Sequence, residues 1–199
     1  MPLVETLRAL RAIRTDRQAV LTTMSAAREW MRLQPPEVHP LDLIYAPSAM
    51  GELPAYGLGL ALAQPDKQVI SFNGDGCMLM NLGVLASITA AAPPNYVLIV
   101  IDNGVYEVTG HQLTVASPTA RRGAGIDWPT VARGCGFQSV FSFSDVLAWQ
   151  AQLPEVLSAP GPTFVCARVQ PMPGGEVPKS PAYPPDRIAA FAKAMQRSV

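Results

Sequence analysis

Residues Asn73–Gln112 read NGDGCMLMNLGVLASITAAAPPNYVLIVIDNGVYEVTGHQ, and this stretch carries both an architecture and a place for chemistry. The runs Gln68–Phe72 and Tyr96–Ile101 are short and rich in Val and Ile, the composition of strands buried on both faces. Met78–Ala92, between them, has the length and apolar content of one crossover helix. A right-handed crossover lays such strands side by side and parallel, with ligands bound beyond their carboxyl ends. Each strand runs into a polar turn, Gly74-Asp75-Gly76 after the first and Asp102-Asn103-Gly104 after the second. Asp75 and Asn103 then face one another and offer a carboxylate and an amide oxygen. Both are hard ligands suited to Mg²⁺, which usually also takes phosphate oxygens of a bound group. Gly74 and Gly76 let the backbone approach a phosphate closely at a helix start, where free N–H groups favour anions.

Outward from this unit the same alternation continues. Candidate strands are Ala19–Thr22, Leu43–Tyr45, Ser139–Ser142 and Thr163–Val169, in addition to the two above. Helical patterns separate them at Ala26–Leu33, Glu52–Ala63, Asp127–Cys135 and Asp145–Leu157, with a terminal helix at Asp186–Gln196. Strands alternating with helices predict an α/β, doubly wound, mainly parallel six-stranded sheet with helices on both faces, formed by residues 1–199 as one domain. Gln170–Pro185, rich in Pro and Gly, reads as an extended arm. Gly104–Gly125 is a long polar connection after the second turn, of the kind that often serves as a lid.

Composition narrows the function classes. The 199 residues are 49% hydrophobic and carry no formal net charge, which argues against a nucleic-acid partner or an anionic membrane surface. Apolar runs are strand-length, shorter than a membrane span, and the Arg-punctuated N-terminus lacks a signal-peptide core, so a cytoplasmic protein is expected. Cys77, Cys135 and Cys166 are scattered and odd in number, which suits neither a disulfide framework nor a Cys-rich metal site.

The pair of turns resembles the diphosphate-binding domain of thiamine-diphosphate (ThDP) enzymes, whose signature is GDG followed by an Asn-containing turn. The resemblance runs by motif from about Tyr45 to Gln112. It implies ThDP and Mg²⁺ as cofactors, with Asp75, Asn103 and the backbone carbonyl of Val105 as metal ligands. Gly74, Gly76, the backbone of Cys77 and Tyr106 would contact the cofactor, Cys77 standing where many relatives carry Ser. A second match is Ala46-Pro47-Ser48-Ala49-Met50-Gly51, just before the helix at Glu52–Ala63. In the family this loop meets the aminopyrimidine, so the resemblance implies a hydrogen bond from the ring's amino group to the Ser48 carbonyl. It also makes Met50, next to Gly51, the wedge that holds the cofactor bent. On residue type alone Met50 would equally serve as core filler.

DNGVYEVTGHQ resembles the segment that follows the metal turn in two branches of the family, the phosphonopyruvate and sulfopyruvate decarboxylases and the 2-oxoacid:ferredoxin oxidoreductases. His111 replaces a Gly of that pattern. Beside the cofactor it would protonate the carbon left after carbon dioxide departs or hold the substrate anion; the plainer role is a lid histidine bonded to backbone. Arg121 and Arg122 either fork onto an anionic substrate or form a solvated loop pair. His39 reads as structural. The glutamate that activates the pyrimidine comes, in the family, from a separate pyrimidine-binding domain, and Glu52 at a helix start is a poor substitute. The resemblance therefore implies a β-type subunit of a 2-oxoacid decarboxylase, in a homo- or hetero-oligomer whose α subunit supplies that glutamate. The rivals are the β subunit of a 2-oxoacid:acceptor oxidoreductase, a carboligase fragment, and a non-catalytic partner subunit.

Overall fold

Six apolar runs become six parallel strands. The computed structural model describes residues 1–34, 38–44, 50–117, 125–173 and 184–196. Its first elements are helix α1 (Leu3–Ile13), strand β1 (Gln18–Thr22), α2 (Met24–Arg32), β2 (Asp42–Ile44), α3 (Leu53–Ala63) and β3 (Gln68–Gly74). They are followed by α4 (Asp75–Met80), α5 (Val84–Ala91), β4 (Tyr96–Asp102) and a small hairpin of β5 (Val105–Tyr106) and β6 (Gln112–Leu113). The chain continues through α6 (Trp128–Gly134), β7 (Ser139–Phe143), α7 (Val146–Ser158), β8 (Thr163–Arg168) and α8 (Pro184–Gln196). The main sheet runs β2-β1-β3-β4-β8-β7, and every neighbouring pair in it is parallel.

Alternation along the strands builds two cores, one on each face. Val97, Ile99 and Ile101 of β4 join Val20, Ile70, Phe72, Trp30 and Trp149 on one side. Tyr96, Leu98 and Val100 join Leu21, Val69, Leu53, Ile88 and Trp128 on the other. Central strands are thus buried on both sides, which is why their sequences read as continuous apolar runs. Helices α6 and α7 start where their sequences place a cap: Asp127 accepts from the Thr130 N–H at 3.2 Å and Asp145 from the Ala148 N–H at 2.9 Å.

The structure corrects the reading of Met78–Ala92 as one helix. Two helices occupy this stretch, the first beginning three residues earlier at Asp75, with Asn81 in a non-helical conformation between them. Asn competes locally for backbone hydrogen bonds and Gly83 costs helix entropy, so Asn81-Leu82-Gly83 is where the helix gives way. Helix α1 went unread at the sequence level; Leu3, Leu7 and Leu10 bury one of its faces. The first part of the expected lid forms the β5–β6 hairpin around a 3₁₀ turn at Glu107–Thr109, and its residues 118–124 lie outside the described residues. Among the described residues no helix is long and apolar enough to cross a membrane.

Candidate functional site

From β1 the chain passes outward through α2 to β2, then returns to the other side of β1 for β3. Strand order reverses there, so the connections after β1 and β3 part and leave a crevice beyond their carboxyl ends. A cavity of about 110 Å³ lies in that crevice. Met50, Gly74, Asp75, Gly76, Cys77, Asn103, Val105 and Tyr106 line it. Parallel pairing of β3 with β4 sets Gly74 opposite Ile101, which brings the two turns into one site.

The Gly104 N–H donates to Asp75 Oδ2 at 3.2 Å across 29 positions of sequence, and the Thr114 hydroxyl donates to the same oxygen at 2.9 Å. The second turn is closed by the Val105 N–H donating to Asn103 Oδ1 at 3.0 Å. Asp75 is almost fully buried. Burial pushes its carboxyl up to about 6, Asp102 nearby adds to the rise, and the hydrogen bonds from Thr114, Gly76 and Gly104 pull the other way. Among the described residues no basic side chain acts on Asp75. Those residues give the carboxylate no counter-charge. Among the described residues no three His, Cys, Asp or Glu side chains converge. A cation here would draw on a carboxylate, an amide and main-chain oxygens, the hard donor set that suits Mg²⁺.

The glycines of the first turn do different work. A Cβ on Gly76 would lie 2.5 Å from the Tyr106 ring, so the ring of β5 packs on the bare backbone of α4. A Cβ on Gly74 would meet nothing within 4 Å, and its φ of −75° suits any residue. Protein packing does not demand a glycine at position 74, whereas a ligand pressed on the backbone would. Gly51 has a φ of +82°, and a Cβ there would stand 3.0 Å from that of Met80. This bend sets Met50 at the cavity, 49% exposed despite its apolar side chain. Burial pushes the Cys77 thiol up, against a contact from the Gly51 amide, so it remains a thiol.

The β1–α2 turn is a part of the cavity that the sequence did not reveal. Thr23, Met24 and Ser25 line it. The Thr23 hydroxyl is buried without a partner among the described residues, and Met24 holds a φ of +51°, unusual for a side chain of its size. The first residues of α2, whose N–H groups have no partner within a helix, also line this wall. His111 is not among the lining residues; its Nε2 donates to the Met172 carbonyl at 2.5 Å. His39, as read, is structural, bridging toward Arg14 and Asp16. Glu52 is exposed just ahead of α3 and does not line the cavity. Ser48, Arg121 and Arg122 lie outside the described residues.

Residues 21–167 match the family model described as thiamine pyrophosphate enzyme, C-terminal TPP binding domain. A phosphonopyruvate decarboxylase of Streptomyces viridochromogenes is 36% identical over 92% of this chain and 44% of its own length. A protein of Methanothermobacter thermautotrophicus named sulfopyruvate decarboxylase subunit beta is 37% identical over 64% of this chain and 62% of its own length. The chain thus spans less than half of the first relative and less than two thirds of the second. In fold it is similar to the thiamine diphosphate-dependent 4-hydroxybenzoylformate decarboxylase of Rhodococcus jostii, with a TM-score of 0.66, 20% identity, and coverage of 89% of this chain and 33% of that one.

Proposed function

The chain belongs to the thiamine pyrophosphate enzymes, and on that premise we propose that it is the β-type half of a 2-oxoacid decarboxylase of the sulfopyruvate or phosphonopyruvate type. ThDP and Mg²⁺ are its cofactors, and it works in the cytoplasm. The observation that carries this reading is the hydrogen bond from Gly104 to Asp75, which joins the two turns around a buried carboxylate with no basic neighbour among the described residues.

The Asp75 carboxylate, the Asn103 amide and the Val105 carbonyl would hold the cation. Backbone amides at Gly74, Gly76 and Cys77, with Thr23 and the start of α2, would hold the diphosphate, and Tyr106 would fix that wall by its packing on Gly76. Met50 would support the apolar part of the cofactor from Gly51, and Ser48 would meet its pyrimidine. When bound, the cofactor supplies the electron sink through which a 2-oxoacid loses carbon dioxide. This chain's residues bind and orient the group, and the apolar side chains of the wall exclude water from it.

A partner completes the site. Relatives are named as beta subunits, and the exposed Glu52 does not reach into the cavity lining. An α subunit or domain with a pyrimidine-binding fold would supply the activating glutamate. The test is carbon dioxide release from sulfopyruvate, phosphonopyruvate and pyruvate, measured for the chain alone and with a candidate α chain, both with ThDP and Mg²⁺. The chain alone should release none. Activity should appear with the partner and vanish when the partner's glutamate is removed. Full turnover by the isolated chain would overturn the half-site reading.

A further inference from the structure

Two side chains of the β5–β6 hairpin converge on a single residue of the segment that follows β8. Glu107 Oε1 accepts from the Met172 N–H at 2.7 Å, and His111 Nε2 donates to the Met172 carbonyl at 2.5 Å. An extended residue presents its N–H and C=O on one side, where a neighbouring strand would satisfy both. Here a carboxylate and an imidazole stand in for that strand. Met172 in turn packs against the core beneath α1 and α2.

The hairpin is bent to make this possible. Gly110 holds a φ of +121° and His111 one of +63°, and the His111 N–H donates to the Tyr106 carbonyl at 2.9 Å. A left-handed histidine is uncommon and costs backbone energy, so something must hold it there. The bond to Met172 is such a restraint. Upstream, the same hairpin supplies Val105, Tyr106 and Glu107 to the cavity wall, and the Tyr106 ring lies on Gly76.

We propose that Glu107 and His111 are positioning residues, a two-point latch on the Met172 peptide that fixes the hairpin wall of the cofactor cavity to the strap after β8. The benefit to cofactor binding rests on the proposed function; the latch does not. It assigns the proton on His111 Nε2 to holding a carbonyl, and it predicts that chain movement in residues 105–113 and 170–173 is coupled.

Hydrogen–deuterium exchange on the ligand-free full chain tests it, followed by ThDP affinity with Mg²⁺ on the same variants. Glu107→Ala and His111→Ala should each speed exchange in both segments by about five- to tenfold, the loss of one net hydrogen bond, and weaken ThDP binding by a similar factor. Glu107→Gln keeps an oxygen for the Met172 N–H, and His111→Gln keeps an N–H for its carbonyl. Both should restore exchange and affinity to near the parent values, although a glutamine cannot transfer a proton. A His111→Gln chain as defective as His111→Ala would overturn the latch, and so would unchanged exchange of the Gln170 and Met172 amides, the two N–H groups of 170–173, in either alanine variant. Coupled exchange in a chain that binds no ThDP would instead uphold the latch and defeat the cofactor reading.

Discussion

Asp42 and Asp75 are both buried aspartates at strand ends of this sheet, one opening β2 and one following β3, and the protein treats them in opposite ways. Asp42, at the amino end of β2, pairs with Arg14 and accepts from Trp30 Nε1 at 2.7 Å and from Gln34 Nε2 at 3.0 Å. Asp75, just beyond the carboxyl end of β3, has neutral donors and, among the described residues, no basic side chain acting on it. A buried charge that the protein itself pairs and hydrogen-bonds belongs to the fold. One left without a counter-ion beside a cavity, under bare backbone, is held for something that arrives from outside.

The largest effects should separate the two residues by kind. Asp42→Ala leaves the Arg14 guanidinium buried with its partner gone, and breaking such a pair typically costs about 3–5 kcal/mol. Denaturant unfolding should report that loss. Asp75→Ala should move the unfolding midpoint far less, because relief of the buried carboxylate offsets the lost bonds from Thr114 and Gly104, and it should weaken Mg²⁺-dependent ThDP binding by more than the roughly 100-fold that changes beyond the ligands reach. Titration calorimetry on the assembled complex would measure it. Equal behaviour of the two variants in both measurements would break the comparison.

pH offers a finer version of the same test. The Asp75 carboxyl titrates near 6 in the folded, ligand-free chain and near about 4 when unfolded. Between those values the folded state holds the proton that the unfolded state has released. Its contribution is therefore fully present below about pH 4 and is lost as pH rises through the folded value, by about 1–3 kcal/mol in all. Asp75→Asn removes this dependence, so the difference in stability between parent and variant should grow from pH 4 to pH 7 in the variant's favour. Cation and ThDP affinity of the parent should move oppositely, falling as pH drops through about 6 and Asp75 protonates. A pH-independent stability difference would mean that Asp75 is not the strained group.

Much of this was legible in the sequence, for physical reasons that differ by element. Strands buried on both faces must be apolar throughout, so β3 and β4 announced themselves, and the two turns that end them followed. The break at Asn81–Gly83 was also written there, in an Asn and a Gly that a length argument passed over. Helix α1 carried a helical spacing of Leu3, Leu7 and Leu10 that went unread. Strand order was a different matter. Nothing local says that β3 returns to the far side of β1, and that reversal is what carries Thr23, Met24 and Ser25 to the cavity. The bonds to Met172 were equally invisible, since they join positions 65 and 61 apart. Such contacts belong to the tertiary packing, and the sequence left His111 open between chemistry and a bond to backbone because Met172 lies so far along the chain.

The smallest effects should come from the two glycines of the first turn, where the contrast between closed and open regions narrows to neighbouring positions. Gly76→Ala drives a methyl to 2.5 Å from the Tyr106 ring, an overpacking that typically costs about 1–3 kcal/mol. Tyr106→Ala should relieve it, so the double variant should unfold later than the sum of the two single losses predicts. Gly74→Ala adds its methyl to open space at an ordinary φ. Its stability should be unchanged or higher by about 0.4–1 kcal/mol, because alanine has less freedom to lose on folding. ThDP affinity should nevertheless fall, since the methyl stands where the backbone is bare. An alanine at 74 that binds ThDP as the parent does would place the diphosphate elsewhere in the crevice. The next candidate would then be the β1–α2 turn, whose buried Thr23 hydroxyl has no partner among the described residues.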